Sequence, residues 1–256
     1  MTGSDILIVE REGDLALLAI NRPPANALNA NLIAQLVQQL GKFVAEASPP
    51  GLILTGTGHR FFSAGGDIKE VAGVDIAKPR MRDFHAVLCE FERYPAPVVC
   101  AVRGYAVGGA LEFLLYADYV VASDDCRTGF PEIKNGLLPA AKGMRRAVQK
   151  LGLRAAQGLL YSGELVDAAR AQQIGVVDEV VPSGQVLDRA RAICSNMRKK
   201  DQKLFAAIKR SVNQTSMMDD QELERMTIQD LEAYLTSADS SEARARFLAK
   251  GGKESR

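Results

Sequence analysis

The sequence predicts an α/β fold with a helical C-terminal region, from three observations. Short apolar, β-branched runs recur at residues 15–20, 51–55, 98–102 and 119–122, as in strands buried on both faces. Helical spacing separates them: Leu32, Ile33, Leu36, Val37, Leu40, Phe43 and Val44 share one face, as do Met81, Phe84, Val87, Leu88 and Phe91. From Leu153 onward helical patterns dominate. Alternating strands and helices argue for α/β rather than a bundle or sandwich.

Residues 6–9 and 15–20 flank Arg11-Glu12-Gly13-Asp14, which gives two strands and a turn. Asn21-Arg-Pro-Pro-Ala-Asn-Ala-Leu-Asn29 is a loop, because adjacent prolines cannot continue a ladder. The first helix ends at Pro49-Pro50. Residues 57–67 form a long loop in which Gly65 and Gly66 permit close approach to a ligand; a plain turn has the same composition. Residues 71–79 read as irregular. The helix through Met81 and Phe91 ends before Pro95, and its apolar residues read as core apart from one or two near its start.

The chain is organised around residues 97–132. Val98–Val102 is a strand, after which Gly104, Gly108 and Gly109 bend the backbone. A helix begins near Gly109 and carries Leu111, Leu114 and Leu115. Glu112 falls in its first turn, where the positive end of the macrodipole favours a carboxylate. The Gly109 N–H has no intrahelical partner there and can donate to a ligand oxygen. Glu132 follows Pro131 in a short extended segment. One free amide and two carboxylates in one place suit proton chemistry beside a developing oxyanion. The same residue types also fit an ordinary strand, turn and helix with solvated glutamates. A dinucleotide fingerprint is excluded, since Gly104-Tyr-Ala-Val-Gly108-Gly109 lacks its spacing.

Further helical patterns cover residues 186–197, 204–212, 223–235 and 241–248, and the tail from Gly251 is expected to fray. Lys plus Arg number 32 and Asp plus Glu 31, a balance that gives no overall field for nucleic acid or an acidic membrane. Cys89, Cys100, Cys126 and Cys194 lack metal-like pairing and read as buried apolar residues or free thiols. With only His59 and His85, a histidine-rich metal site is not expected. His59 and Ser63 have no acidic orienter that would make a hydrolase triad. No leader pattern opens the chain and no apolar run approaches the roughly 20 residues of a membrane span, so a cytoplasmic protein is expected.

Gly104-Tyr-Ala-Val-Gly-Gly-Ala-Leu-Glu112, with Phe130-Pro-Glu-Ile133, resembles the signature of the enoyl-CoA hydratase/isomerase (crotonase) superfamily. Phe62-Ser-Ala-Gly-Gly-Asp-Ile-Lys69 is similar to that family's first oxyanion loop. The resemblance covers residues 6–248. It implies a spiral of ββα-type repeats over residues 1–195, with residues 196–256 as a helical region for oligomerisation and pocket closure. It implies an acyl-CoA thioester as substrate, no separate cofactor, and a homotrimer or hexamer. Glu112 and Glu132 would be catalytic, and the N–H groups of Ala64 and Gly109 would form the oxyanion hole. Ala25, Ala27, Leu28, Gly66, Asp67, Ile68, Tyr105, Gly108, Pro131, Pro139 and Ala140 would complete the substrate and CoA site. Residues 71–79 would line its acyl end.

Two carboxylates favour syn hydration of a 2-enoyl-CoA. Rivals are Δ3-Δ2 enoyl-CoA isomerisation, acyl-CoA decarboxylation, thioester hydrolysis, and a non-catalytic CoA- or RNA-binding role. One segment departs from the family pattern: Ala140, Ala141, Lys142 and Gly143 stand where many hydratases have Gly-Ala-Gly-Gly. The change is expected to alter acyl selectivity, with the Lys142 ammonium solvated.

Overall fold

The computed structural model describes residues 5–70, 74–139, 142–214, 218–237, 240–242 and 245. The chain divides into two compact units after Arg198. That is three residues beyond the boundary read from sequence, because the helix Val186–Arg198 belongs to the first unit's core.

In the first unit, β1 (Leu7–Glu12) pairs antiparallel with β2 (Leu15–Ile20). Helix α1 (Ala30–Val44) follows, capped by Asn29, whose side chain accepts from Leu32 N–H. Strand β3 (Gly51–Gly56) leads through β4 (Phe61–Ser63) and a 3-10 turn to α2 (Val74–Arg93). Strand β5 (Val98–Val102) leads through β6 (Tyr105–Val107) to α3 (Gly109–Tyr116). Strand β7 (Tyr119–Ser123) leads through β8 (Arg127–Gly129) and the 3-10 turn Pro131–Asn135 to α4 (Gly143–Ser162). Strand β9 (Val166–Asp167), α5 (Ala168–Gln173), β10 (Glu179–Val181) and α6 (Val186–Arg198) complete the unit.

The five long strands and the three-residue β10 form a sheet in the order β1-β2-β3-β5-β7-β10, parallel from β2 onward. The short strands form a second sheet, β4-β6-β8-β9. Each turn of the spiral therefore runs long strand, short strand, helix. Strands β2, β3, β5 and β7 are buried on both faces, whereas β1 at the sheet edge is largely exposed. Leu18, Leu54 and Cys100 join the larger core that includes Leu32, Leu36 and Leu111. Leu17, Ile53 and Val99, one residue out of phase, join Val186, Ala190 and Cys194 of α6.

Sequence periodicity misses the second sheet, because strands of two or three residues are too short to show a period. It also starts α2 too late. Residues 74–79 are helical although Pro79 lies inside the helix, where it removes one backbone donor. Glu132 lies in a 3-10 turn rather than an extended segment. In the second unit α7 (Gln202–Gln214) packs on α8 (Asp220–Leu235), joined by an Arg210–Asp230 ion pair and a Tyr234 Oη bond to Asp201 Oδ2 at 3.0 Å. Most of residues 241–248 lies outside the described residues. Among the described residues no helix is long and apolar enough to cross a membrane.

Candidate active site

The start of α3 builds one wall of a cavity of about 300 Å³. Gly108 precedes the helix with φ +58°, and a Cβ there would stand 2.6 Å from Glu132 Oε1. Glycine at this position lets the Glu132 carboxylate lie against the backbone that opens α3. Gly109 is the first residue of the helix, so its N–H lacks an intrahelical acceptor. Both Glu112 and Glu132 line the cavity, with Gly66 and Gly109.

Glu112 is 2% exposed and its Oε2 accepts the Lys142 N–H at 2.9 Å. Glu132 Oε2 is buried with no hydrogen-bond partner among the described residues. Burial pushes the Glu132 carboxyl above its ordinary range, partly offset by its own backbone N–H.

The oxyanion loop differs from the sequence expectation. The Ala64 N–H donates to Ala25 O at 2.9 Å, which removes Ala64 as a free donor. Leu28 bridges Gly66 in parallel: Leu28 N–H donates to Gly65 O at 2.8 Å, and Asp67 N–H donates to Leu28 O at 2.9 Å. This register turns the N–H of Gly66 away from Leu28. Gly65 carries the loop against α3, since a Cβ on it would lie 3.2 Å from Gly109 N. Gly66 and Gly109 are thus the cavity glycines whose amides are left unused by secondary structure.

The other expected residues fall into groups. Ala25, Ala27 and Leu28 are stitched to the glycine loop, and Arg22 ties them by bonding Ala27 O at 3.1 Å and Asp67 Oδ2 at 2.6 Å. Burial opposes charge on Asp67, but Lys69 N–H and Arg22 outweigh it and hold the carboxyl below its ordinary range. Ile68 is 71% exposed. Tyr105 packs its ring on Phe61, and neither it, Pro131 nor Pro139 lines the cavity. Ala140 lies outside the described residues.

Lys142 is not solvated as expected. Its Nζ lies 3.0 Å from Cys89 Sγ and 3.7 Å from Glu92 Oε2, beside the Tyr116 ring. Arg146 also bonds Glu92, at 3.1 Å. The residue whose N–H holds Glu112 is therefore anchored by its own side chain.

The remaining wall is Ala77, Arg80, Met81 and Phe84 with Gly136, Leu137 and Leu138. Residues 77, 80, 81 and 84 share one face of α2. That spacing is the signal in the sequence, and Pro79 masks it by suggesting that the helix starts near Met81.

The family model for enoyl-CoA hydratase/isomerase matches residues 10–254. The 2,3-dehydroadipyl-CoA hydratase of Escherichia coli K12 is 36% identical over 210 residues, 82% of each chain. A probable enoyl-CoA hydratase of Rhizobium meliloti is 32% identical over 250 residues, 96% of each. Among solved structures, Pseudomonas aeruginosa DspI superposes with TM-score 0.91 at 27% identity, covering 98% of this chain and 96% of that one. An enoyl-CoA hydratase of Bacillus anthracis gives 0.89 at 26%, covering 96% and 97%. The fold, the paired glutamates and these matches agree: the chain belongs to the enoyl-CoA hydratase/isomerase family and has the crotonase fold.

Proposed function

We propose that this chain is an enoyl-CoA hydratase, a hydro-lyase that adds water syn across the 2,3-double bond of a 2-enoyl-CoA thioester. The observation that carries the proposal is that Glu112 and Glu132 face one small cavity beside two unused glycine amides. The thioester oxygen accepts from the N–H groups of Gly66 and Gly109. Negative charge gathers on that oxygen as water adds to C3, and each donor aimed there is worth roughly 3 kcal/mol. Glu112 orients and activates the water. Glu132 exchanges the proton with C2, a role that suits a carboxyl whose pKa burial raises. The thioester itself is the electron sink, so the reaction calls for no separate cofactor or metal.

The segment from Ala25 to Leu28, with Asp67 and Ile68, lies along the CoA moiety. The chain works in the cytoplasm as a trimer or a pair of trimers, as the exposed apolar side chains Leu204, Ile208 and Val212 of α7 suggest. Light scattering during size exclusion is expected to give three or six subunits, and a clean monomer contradicts this. The function is tested by turnover of crotonyl-CoA beside longer, branched and aromatic 2-enoyl-CoAs, with products identified. A 3-hydroxyacyl-CoA is expected, and the absence of hydration across the series refutes the proposal.

A further inference from the structure

Among the described residues lining the cavity, Arg80 is the one basic side chain. It sits in the middle of an otherwise apolar α2 face, between Ala77, Met81 and Phe84. Its partners account for only part of its donors. Nη2 donates to Leu28 O at 2.8 Å, whereas Nε lies 3.3 Å from Glu70 Oε2 as an ion pair and, though buried, makes no hydrogen bond among the described residues. Nη1 has no hydrogen-bond partner among the described residues. The guanidinium presses on Gly66: a Cβ there would stand 2.7 Å from Nη2 and 3.2 Å from Nη1. A glycine at 66 thus gives Arg80 its place beside the thioester site.

An arginine that served only to tie Leu28 to Glu70 would not need to line the cavity. With an alkyl acyl chain bound, water leaves the cavity and the spare Nη donors lose their partners. Such a loss costs more than a made bond returns. A carboxylate removes that cost, because two oxygens match two guanidinium donors. Glu70 balances the resting charge from the Nε side and leaves the Nη1 edge to the ligand.

We infer that Arg80 selects the acyl group, and that the preferred substrates are 2-enoyl-CoAs bearing a carboxylate on the acyl chain. This deepens the hydratase proposal and rests on it for the reaction, though not for the binding preference. The cavity of about 300 Å³ that Arg80 lines has room for an acyl chain that carries a carboxylate.

The test compares two trans-2-enoyl-CoAs of equal chain length, one ending in a carboxylate and one in a methyl group. The wild-type chain is expected to show a higher kcat/KM for the carboxylated substrate. Arg80→Leu is expected to cut the ratio of the two kcat/KM values by roughly 10- to 100-fold, the range for a hydrogen bond to a charged group. Arg80→Gln, which keeps a donor for Leu28 O, replaces it if the Leu variant does not fold. No preference in the wild type overturns the inference. So does an equal fall on both substrates, which would place Arg80 on the thioester oxygen or on the fold. If neither compound is hydrated, the hydratase proposal fails by itself. Calorimetry with the two saturated acyl-CoAs then decides the inference: an Arg80-dependent preference for the carboxylated ligand upholds it, and equal affinity overturns it.

Discussion

The start of α3 and the 3-10 turn at Pro131–Asn135 each deliver one glutamate to the same cavity, yet they surround it differently. Glu112 sits in the first turn of a buried helix and accepts a backbone N–H from Lys142. Glu132 is carried by a single 3-10 turn, with one carboxylate oxygen buried and without a hydrogen-bond partner among the described residues. The first arrangement fixes a carboxylate in place; the second makes its charge costly to bury. A hydration site needs both, one group to hold a water and one to exchange a proton with carbon.

The largest expected effect comes from removing either group. Glu112→Gln and Glu132→Gln are each expected to lower kcat for hydration by about 10²- to 10⁴-fold. The double variant should fall little below the worse single, because groups that act on one water are not additive. Full multiplicative loss in the double variant would break the pairing of the two regions.

The next effect comes from glycines that touch one carboxylate each. A Cβ at position 143 would lie 2.9 Å from Glu112 Cδ, and one at 108 would lie 2.6 Å from Glu132 Oε1. Gly143→Ala is expected to reduce kcat by up to about 100-fold through displacement of Glu112. Gly108→Ala acts on Glu132 and also strains a positive φ, so it should lower the melting temperature as well. Steady-state kinetics beside thermal unfolding separates the two, and wild-type kcat in both would show that neither contact matters.

Lys142→Met sharpens the comparison on the Glu112 side. It leaves the backbone N–H but removes the anchor at Glu92 and Cys89. A stability loss of about 1–2 kcal/mol is expected, since Arg146 keeps Glu92 paired. Hydration should fall more than α-proton exchange; equal loss of both would assign Lys142 to folding alone.

The smallest effect is on stability at Glu132. Its raised pKa means that the folded state holds this proton more tightly than the unfolded chain. Stability from that proton is present at low pH and is lost as pH rises from the unfolded value of 4.5 through the folded one. Glu132→Gln, which cannot ionise, should therefore match the wild type in acid and exceed it in melting temperature at neutral pH. A variant less stable than wild type at neutral pH contradicts the burial cost.

How much was legible in sequence follows the same division. The long strands and α1, α3 and α6 were readable because each repeats an apolar period over many residues. Glu112 was readable through its helix position, and Glu132 through the motif around Pro131. The second sheet was not readable, since its strands are two or three residues long. The choice of oxyanion amide was not readable either. Ala64 and Gly66 are two residues apart, and only the register with Ala25 and Leu28 shows which N–H is already bonded. Lys142 looked solvated because its partners Cys89 and Glu92 lie some fifty residues away. Arg80 was hidden by Pro79, a residue that usually ends a helix and here lies within one.

The most direct test of the two-carboxylate site is solvent deuterium exchange at the α-carbon of a saturated acyl-CoA, followed by NMR beside hydration of crotonyl-CoA. Exchange needs only a base on carbon, whereas hydration also needs a held water. Glu132→Gln is expected to lose both activities, and Glu112→Gln to lose hydration while keeping much more of the exchange. If both folded variants hydrate crotonyl-CoA at the wild-type rate, the chemistry does not reside in these two carboxylates.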